Sequence, residues 1–387
     1  MAAQTVLLGD ICDVRDGTHD SPKPKEIGHP LVTSKHIKNY KIDFSTANLI
    51  SKEDFEAVNK RSKVDKYDIL ISMIGTVGEL ALIDYEPTFA IKNIGLIKTG
   101  DELLGKYLFY YLQSTKAKQY IEASLAGSTQ KFIGLGQLRK FPIELPDLET
   151  QKKIADILGT IDEKIELNRR MNETLEQMGQ TLFHHYFIDN PEAEKWDKVS
   201  ISELCEKVAS GGTPATKRED YYGGGVQWYS TKELKDSFLF GSEKTITNDG
   251  LSNSAAKIFP KNTVMMAIYA APTVGRLGIL TSEASFNQAT CGLVAKEEIG
   301  YEFIYLYLLL SRKELNNMAN GAAQQNISVS KVRDFKVMQP GSTAIVDFRK
   351  KIAPIFSAIK SNSQQTQTLT TLRDTLLPRL ISGKVEV

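Results

Sequence analysis

Basic and amide side chains gather in two separate parts of the chain, in segments rich in Gly, Pro, Asn and Asp that are expected to be loops. Such side chains hydrogen-bond to the edges of nucleic-acid bases, and Lys and Arg also neutralise phosphates. For any one residue, a solvated loop side chain is the simpler interpretation. The candidates in the first part are Arg15, Thr18, His19, Lys23, Lys25, Ser34, Lys35, His36, Lys92, Asn93, Ser128, Thr129, Gln130 and Lys131.

The second part carries the same residue types at equivalent places in a sequence repeat. One binding face on each repeated unit would produce this arrangement. These are the residue types that a DNA-binding face on each unit would need. The candidates in the second part are Thr213, Thr216, Lys217, Arg218, Ser230, Thr231, Lys232, Asn287, Gln288, Gln324, Gln325, Asn326, Lys331 and Arg333.

The sequence offers no combination of residues for catalysis. It has no Asn-Pro-Pro or Asp-Pro-Pro motif of the kind that adenine methyltransferases use, no GxGxxG turn after a strand and no GxxxxGK(S/T) phosphate-binding loop. Gly134 and Gly136 form an isolated GxG without a strand–helix context, and none of the five histidines has zinc-binding spacing. We predict a chain that is not an enzyme, with no metal site and no cofactor of its own.

The chain contains one long sequence repeat. Two segments 194 positions apart are similar, so that Asn168 matches Asn362. In the middle of the repeat the offset becomes 197, since the Thr-Val-Gly of residues 76–78 matches that of residues 273–275. Matches spread over so much of the chain predict two copies of one fold.

Near the start of the repeat, Cys12 aligns with Cys205, and the Gly-Thr of residues 17–18 aligns with that of residues 212–213. The two cysteines are therefore expected to be small core residues rather than disulfide partners. With Cys291 they are too few for a disulfide framework, and they lack zinc spacing.

Each repeated unit is predicted to be an α/β (α+β) domain. In the first copy, two strand-like runs at residues 67–72 and 79–83 flank a Gly-rich turn. A helix is expected next, over residues 101–122 in the first copy and 301–318 in the second, because apolar residues recur on one face. We expect a small, mixed and strongly curved sheet in each unit.

Two segments of about forty residues carry apolar residues at heptad spacing and are predicted to be long helices. Each would be about 60 Å long, and an apolar stripe of that length must find a partner. We predict that the helices pair antiparallel within the chain, which places the two units at opposite ends of a long coiled coil with pseudo-twofold symmetry. The predicted seam residues are Ile154, Ile161, Asn168, Leu175, Leu182, Ile352, Ile359, Asn362, Leu369 and Leu376.

Two features of these helices carry separate expectations. Asn168 and Asn362 are polar at seam positions, where such residues fix register at a cost in stability; the alternative is that one or both face solvent. Pro354 lies inside the second helix and is expected to bend or break it near its first turns.

Composition narrows the class of protein. A chain of 387 residues suits two or three domains, and 41% hydrophobic with 25% charged residues is typical of globular proteins. The formal net charge is only +1, so a DNA-binding surface would need its Lys and Arg gathered on one face.

The N-terminus lacks the pattern of a signal peptide, and the longest apolar run, residues 303–310, is too short to cross a membrane. We expect a cytoplasmic protein without membrane contact.

Several of these segments resemble one known family. The stretch QKKIADILGTIDEKIELNRRMNETLEQMGQTLFHHYF, residues 151–187, resembles the central conserved helix of type I restriction–modification DNA specificity subunits. LRDTLLPRLISGKVEV, residues 372–387, is similar to their C-terminal end. The GTVG turn of residues 75–78, and the Asn-Gln of residues 287–288 ahead of a strand, look like parts of their target-recognition domains. The resemblance covers essentially the whole chain.

The resemblance implies a non-catalytic subunit that binds double-stranded DNA. With this family in view, we predict that the two groups of loop side chains, taken as sets, contact DNA. Each of two target-recognition domains would read one half of a bipartite, asymmetric site, and the paired helices would act as a spacer ruler. The helices would also dock two methyltransferase subunits, which bind S-adenosylmethionine and methylate adenine at N6. Restriction/translocase subunits that use ATP and Mg²⁺ are further implied partners.

The implied domain boundaries follow the repeat. Residues 1–146 would be the first target-recognition domain and residues 147–189 the central conserved helix. Residues 190–340 would be the second recognition domain and residues 341–387 the C-terminal conserved helix. The start of that last helix departs from the family's usual acidic, glutamine-bearing pattern, which the first copy keeps as Glu149 and Gln151.

Other interpretations stay open at this point. The chain could be the specificity subunit of another phage-defence DNA methyltransferase that lacks restriction. It could also be a coiled-coil scaffold that binds proteins rather than DNA, which would suit the near-zero net charge. A free-standing enzyme is disfavoured by the missing cofactor motifs.

Overall fold

The computed structural model describes residues 4–127, 131–269, 274–318 and 326–385. The chain divides into two compact units: Met1–Lys164 with Leu369–Val387, and Ile165–Thr368. The division passes through both long helices, whereas the boundaries predicted from the sequence lie at the helix ends. Each unit therefore consists of one globular part together with a portion of each helix.

The first unit mixes strands and short helices. Its strands are β1 (Gln4–Leu7), β2 (Asp13–Asp16), β3 (His29–Val32), β4 (Ile37–Lys38), β5 (Lys41–Ile42), β6 (Asn48–Ile50), β7 (Ile69–Ser72), β8 (Leu80–Leu82), β9 (Ala90–Ile91), β10 (Ile94–Lys98) and β11 (Pro142–Leu145). Its shorter helices are α1 (Leu8–Ile11), α2 (Lys52–Ser62), α3 (Glu102–Gln113), α4 (Thr115–Ala123) and α5 (Leu135–Arg139), with a 3-10 turn at Ser34–His36.

The main sheet of the first unit has the strand order β2-β10-β7-β8, and all its neighbouring strands are antiparallel. Asp16 pairs with Gly95, and Ser72 pairs with Ile94. The end of β2, the end of β7 and the start of β10 therefore lie at one end of the sheet. We call the three loop segments at this end, residues 17–19, 73–76 and 92–93, the first loop edge.

The second unit repeats this plan. Its strands are β12 (Lys198–Ser200), β13 (Cys205–Ser210), β14 (Tyr222–Tyr229), β15 (Ser237–Leu239), β16 (Lys244–Ile246), β17 (Val264–Ala267), β18 (Leu277–Leu280), β19 (Ser285–Phe286), β20 (Thr290–Ala295) and β21 (Lys336–Met338). The shorter helices are α7 (Asn248–Ser252), α8 (Tyr301–Leu310), α9 (Arg312–Asn317) and α10 (Val329–Arg333), and 3-10 turns occupy Pro191–Lys195, Ile201–Leu204, Glu219–Tyr221 and Thr231–Glu233. We number the long helices α6 (Leu148–Phe183) and α11 (Ser342–Ile381), in chain order with these elements.

The main sheet of the second unit has the order β13-β20-β17-β18-β15, with β15 parallel to β18. Cys291 pairs with both Ser210 and Met266, so the ends of β13 and β17 meet the start of β20 at one end of this sheet as well. We call residues 211–213, 268–269 and 287–289 the second loop edge. The predicted mixed α/β class of the repeated units is confirmed.

The expected single helix after each sheet is wrong in both units, since a serine divides it. Ser114 has extended ψ of 156° between α3 and α4, and its Oγ accepts a hydrogen bond from the backbone N–H of Ala117 at 3.2 Å. In the second unit Ser311 divides α8 from α9, but its ψ is 6° and its side chain makes no capping hydrogen bond. Serine favours an N-cap over a helix interior because its hydroxyl satisfies a free N–H of the next helix.

The long helices are α6 (Leu148–Phe183), with 36 residues, and α11 (Ser342–Ile381), with 40. A π-helical turn, His184–Ile188, follows α6. The expected disruption at Pro354 is wrong as regards a break, because α11 continues through it. Pro354 is exposed, so the Lys350 carbonyl that lacks an intrahelical donor faces the solvent side of the helix, where water can satisfy it.

The two helices run antiparallel in each unit. In the second unit, Asn168 of α6 contacts Gln365 of α11, and Phe183, further along α6, packs on Phe348, further back along α11. In the first unit, Ile154 and Leu158 share one apolar core with Leu377 and Leu380. None of the predicted seam residues is exposed: Ile154, Ile161, Asn168, Ile352 and Ile359 are buried, and Leu175, Leu182, Asn362, Leu369 and Leu376 are half-buried.

Asn168 is fully buried within the seam of the second unit. Its Nδ2 donates to Oε1 of Gln365 at 2.9 Å and lies 3.4 Å from the carbonyl oxygen of Asn362. Its Oδ1 has no hydrogen-bond partner among the described residues. A buried carbonyl oxygen without a donor is destabilising, so this side chain carries a cost in folding free energy.

We predict that Asn168→Leu raises the melting temperature by about 2–4 °C, because it removes an unsatisfied buried oxygen and leaves the exposed Gln365 free to bind water. Thermal unfolding followed by circular dichroism measures the change. Asn168→Ala is the matched control, and we expect it to melt lower than the wild type because it opens a cavity. A lower melting temperature for the Leu variant would contradict the prediction.

Candidate DNA-recognition site

The first loop edge brings together candidates that are distant in sequence. The His19 ring donates through Nδ1 to Oδ1 of Asn93 at 2.8 Å, and its Nε2 lies 3.0 Å from Oδ2 of Asp16. Ser34 Oγ donates to the carbonyl oxygen of Asn93 at 3.2 Å, and Thr18 forms a parallel bridge with Lys92. Thr18, His19, Ser34, Lys92 and Asn93 therefore form one connected polar surface.

One participant in this surface was not predicted. Asp16 is buried, and its Oδ1 accepts a short hydrogen bond from Nη2 of Arg61 while Oδ2 faces His19. The carboxylate thus fixes the orientation of the His19 ring. The sequence gives little signal for Arg61, which lies in α2 far from the Gly-rich loops.

The second loop edge has the same construction with different side chains. Thr213 Oγ1 donates a short hydrogen bond to Oε1 of Gln288. Thr290 Oγ1 donates to Oδ1 of Asn287 at 3.0 Å, and the backbone N–H of Asn287 donates to the Tyr229 carbonyl. The loop after β13 therefore touches the loop before β20, as the corresponding loops do in the first unit.

The backbone corrects the alignment of the two edges. Gly17 N donates to the carbonyl oxygen of Ile94 at 2.8 Å, and Gly211 N donates to that of Thr290 at 3.2 Å. Gly17 is therefore equivalent to Gly211 and not to Gly212, as the sequence alignment suggested. With this shift, the His19–Asn93 pair of the first unit corresponds to the Thr213–Gln288 pair of the second.

A glycine is required where the loops meet. A Cβ atom on Gly17 would lie 2.6 Å from the carbonyl oxygen of Ile91. A Cβ on Gly211 would overlap the carbonyl oxygen of Phe286. In both units the close approach of two backbones excludes a side chain and holds the neighbouring polar residues in place.

His36 does not belong to the accessible surface. It is 1% exposed, and its Nδ1 accepts a hydrogen bond from the backbone N–H of Thr33 at 2.8 Å. Burial lowers the pKa of His36, which favours the neutral ring. At the equivalent place in the second unit, Glu233 accepts from the N–H of Ser230 at 2.7 Å. Both residues complete a capping box, so the expectation of a DNA contact for His36 is wrong.

Arg333 also has a structural partner. Its Nε and Nη2 donate to the carbonyl oxygen of Val208 at 2.9 and 2.7 Å. In the first unit, Arg139 donates through the same two atoms to the carbonyl oxygen of Val14. Arg333 lies 194 positions after Arg139, and Val208 lies 194 positions after Val14, so the same framework contact occurs in both units. Lys331 is engaged as well, since its Nζ donates to the Met318 carbonyl at 2.6 Å.

The charged candidates divide into paired and unpaired groups. Arg15 donates to Asp13 at 2.8 Å, Arg218 forms an ion pair with Asp220 at 2.7 Å, and Lys232 forms one with Glu243. The Arg15 contact holds the pKa of Asp13 below its usual value. The exposed candidate cations that form neither an ion pair nor a side-chain hydrogen bond among the described residues are Lys23, Lys25, Lys35, Lys131 and Lys217. These are better placed to bind phosphate, because they need not leave a partner.

The remaining candidates are on the surface or outside the described residues. Thr216 is exposed, Thr231 and Asn326 are half-buried, and Lys131 is exposed beside Phe132. The candidates that lie outside the described residues are Ser128, Thr129, Gln130, Gln324 and Gln325.

The described ranges contain no group of three or more His, Cys, Asp or Glu side chains that could hold a metal ion. Cys12, Cys205 and Cys291 are free and buried, and burial raises the pKa of each thiol to about 12. Their thiols are therefore protonated at neutral pH and poorly nucleophilic.

No helix in the described part of the chain is long and apolar enough to span a membrane.

Comparison with known proteins agrees with this architecture. The family model for the type I restriction modification DNA specificity domain matches twice, over residues 3–177 and 193–372. The chain belongs to this family. Each match joins one globular part to one long helix, as the repeat does.

Relatives in this family are found over most of the chain. The type I restriction enzyme HindI specificity subunit of Haemophilus influenzae is 25% identical over 360 residues, which cover 73% of this chain and 78% of the relative. The type I restriction enzyme MjaIX specificity subunit of Methanocaldococcus jannaschii is 24% identical over 416 residues, which cover 98% of this chain and 93% of the relative. The prediction of a non-catalytic subunit agrees with these names.

A solved structure supports the fold. The crystal structure of a type I restriction–modification system S subunit from M. genitalium aligns with a TM-score of 0.64 at 17% sequence identity. The alignment covers 97% of this chain and 95% of that chain.

We predict that Arg333→Ala lowers the melting temperature by about 2–4 °C, because the Val208 carbonyl loses a charge-assisted donor worth about 1 kcal/mol. Differential scanning calorimetry measures the shift. Arg139→Ala is the matched variant in the first unit and should behave alike. If Arg333→Ala instead flattens the salt dependence of DNA binding at an unchanged melting temperature, the framework role is wrong.

Lys35 and Lys232 form a matched pair, since they occupy equivalent places 197 positions apart and only Lys232 has an acidic partner. We predict that Lys35→Ala reduces the slope of log affinity against log salt by about one, the effect of losing one phosphate contact. Lys232→Ala should change the slope less. Fluorescence anisotropy of labelled duplex with the methyltransferase-bound chain measures both, and an unchanged slope for Lys35→Ala would remove it from the interface.

Proposed function

We propose that this chain is the DNA specificity subunit of a type I restriction–modification complex. It binds a bipartite, asymmetric site in double-stranded DNA, with one half-site on each unit. The observation that carries the proposal is the duplicated loop edge, in which His19 and Asn93 correspond to Thr213 and Gln288. The same backbone arrangement with different side chains suits two half-sites of different sequence.

The side chains at both edges are suited to reading bases. Asn and Gln amides can make paired hydrogen bonds to adenine in the major groove, and Thr and His supply further donors and acceptors. Asn93 and Gln288 are each held by a hydrogen bond to the neighbouring loop, so little side-chain entropy is lost on binding. Lys35 in the first unit and Lys217 in the second are exposed cations that can anchor the phosphate backbone.

The long helices serve as the spacer between the half-sites. Unbroken helices of 36 and 40 residues have lengths of about 54 and 60 Å at the usual rise per residue. An unbroken helix resists bending far better than a loop. The distance between the two half-sites is therefore set by helix length rather than by a flexible linker.

The same helices dock two methyltransferase subunits. Their seam residues are covered, yet each unit also exposes large apolar side chains on α6 and α11. In the first unit Leu148, Ile157 and Leu372 are 71%, 37% and 44% exposed. In the second unit Leu167, Met171, Met178 and Val346 are 42–50% exposed. Apolar residues exposed in such numbers on two helices favour a protein-binding surface.

Catalysis and cofactors belong to the partners in this proposal. The methyltransferase subunits bind S-adenosylmethionine and methylate adenine at N6, and the restriction subunits use ATP and Mg²⁺. This chain supplies the sequence information and the geometry. Restriction of unmodified phage DNA by the assembled complex would separate this assignment from a modification system that lacks restriction subunits.

Mapping of methylated adenines in DNA from cells that carry the complex tests the proposal. We expect one asymmetric motif with two specified parts and a fixed gap. Deletion of this chain should abolish methylation of that motif, while deletion of an unrelated gene should not. A methylation pattern that does not change on deletion would refute the assignment.

Variants of the two loop edges test the division of labour. We predict that Asn93→Ala relaxes the sequence preference within one half of the motif by about 10-fold or more, the usual cost of losing a base contact. Gln288→Ala, its counterpart in the second unit, should relax the other half. In vitro methylation of a library of sites reports both halves at once, and a change in the same half for both variants would contradict the model.

A further inference from the structure

Ile74 of the first loop edge and its bridge partner Phe132 are both exposed apolar residues. Ile74 is 36% exposed and Phe132 is 43% exposed. The two residues form an antiparallel bridge, so their side chains are presented by adjacent backbone segments. Single exposed apolar residues are ordinary, but a bridged pair at the end of a sheet beside polar base-reading candidates is not.

The pair lies on the same end of the sheet as His19 and Asn93. Ile74 is two residues beyond the end of β7, where Ser72 pairs with Ile94. Asn93 directly precedes Ile94, and the loop that holds His19 follows Asp16, which pairs with Gly95. The apolar pair and the polar pair therefore lie at the same end of the main sheet.

The backbone holds Ile74 and Phe132 firmly. Phe132 exchanges two hydrogen bonds of 2.9 Å with Ala126, and Ile133 N donates to the Met73 carbonyl at 3.0 Å. Ser72 closes the turn after Ile74, since its Oγ donates to the Thr76 carbonyl and accepts from the N–H of Glu79. The apolar surface is thus presented before binding, which reduces the entropy lost in a complex.

We propose that Ile74 and Phe132 form an apolar contact for the C5-methyl group of a thymine in the half-site read by the first unit. In the major groove, thymine is distinguished from the other DNA bases by a methyl group beside its O4 acceptor. Hydrogen-bonding residues such as His19 and Asn93 read the acceptors and donors, and only an apolar surface can select the methyl group. The inference rests on the proposed function and adds to it a residue pair that determines specificity.

Deoxyuridine provides the direct test, because it pairs like thymidine and lacks only the C5-methyl group. The chain assembled with its methyltransferase subunits is assayed on duplexes that carry the mapped motif, with each specified thymine replaced by deoxyuridine in turn. We expect one position at which the wild-type complex loses about fourfold in kcat/KM, the effect of one unburied methyl-sized group. Ile74→Ala and Phe132→Ala, made separately, should use the two duplexes equally.

Tyr85→Ala is the matched control. Tyr85 is 41% exposed in the same unit, but it follows β8 at the opposite end of the sheet, where Leu82 pairs with Ile69. This variant should keep the wild-type ratio between the thymidine and deoxyuridine duplexes. Because the readout is a ratio within one protein, a variant that lowers overall activity through folding still reports on the contact.

The outcomes separate the two proposals. If the complex methylates a defined motif but no thymine is distinguished from deoxyuridine, or if the Ile74 and Phe132 variants keep the wild-type ratio, the methyl contact is wrong and the recognition function stands. If no motif depends on this chain, the recognition function itself fails.

Discussion

The burial of two long apolar stripes is the constraint on which the rest of the structure depends. Helices α6 and α11 contain 36 and 40 residues, and stripes of that length are unstable in water without a partner. The globular parts use the same helices to complete their cores. Ile154 and Leu158 of α6 are buried in the core of the first unit, and Phe183 at the other end of α6 is buried in the core of the second. The boundary between the two compact units therefore falls within each long helix and not at the helix ends.

The repeat and the long helices could be predicted from the sequence, because heptad spacing and a constant offset are visible without knowledge of tertiary contacts. The seam positions follow from the same periodicity, and none of them is exposed. The helix break at Ser114 was missed because the apolar pattern continues across it. The capping signal was present all the same, in a serine three residues before Ala117, whose N–H it binds.

The proposed binding surface was harder to predict, because residue type does not reveal what a side chain touches. His36 and Arg333 have the residue types of DNA contacts but hold the backbone instead. In each case the other copy carries the clue, since Glu233 and Arg139 make the corresponding framework contacts. The apolar residues Ile74 and Phe132, for which we propose a base contact, were not among the sequence candidates for the opposite reason. A search for polar groups passes over them, and only the strand register places them beside Asn93.

The contact between backbones at Gly17 and Gly211 has a consequence for attempts to change what such a chain recognises. A library of loop variants would change His19 and Thr213, each of which pairs with a neighbouring loop, and His19 also contacts the buried carboxylate of Asp16 at the end of β2. The two glycines tolerate no side chain, because a Cβ would collide with a carbonyl oxygen of strand β9 in the first unit and of strand β19 in the second. A productive library therefore fixes each glycine and diversifies its neighbours in coupled pairs, one residue from each of the two touching loops.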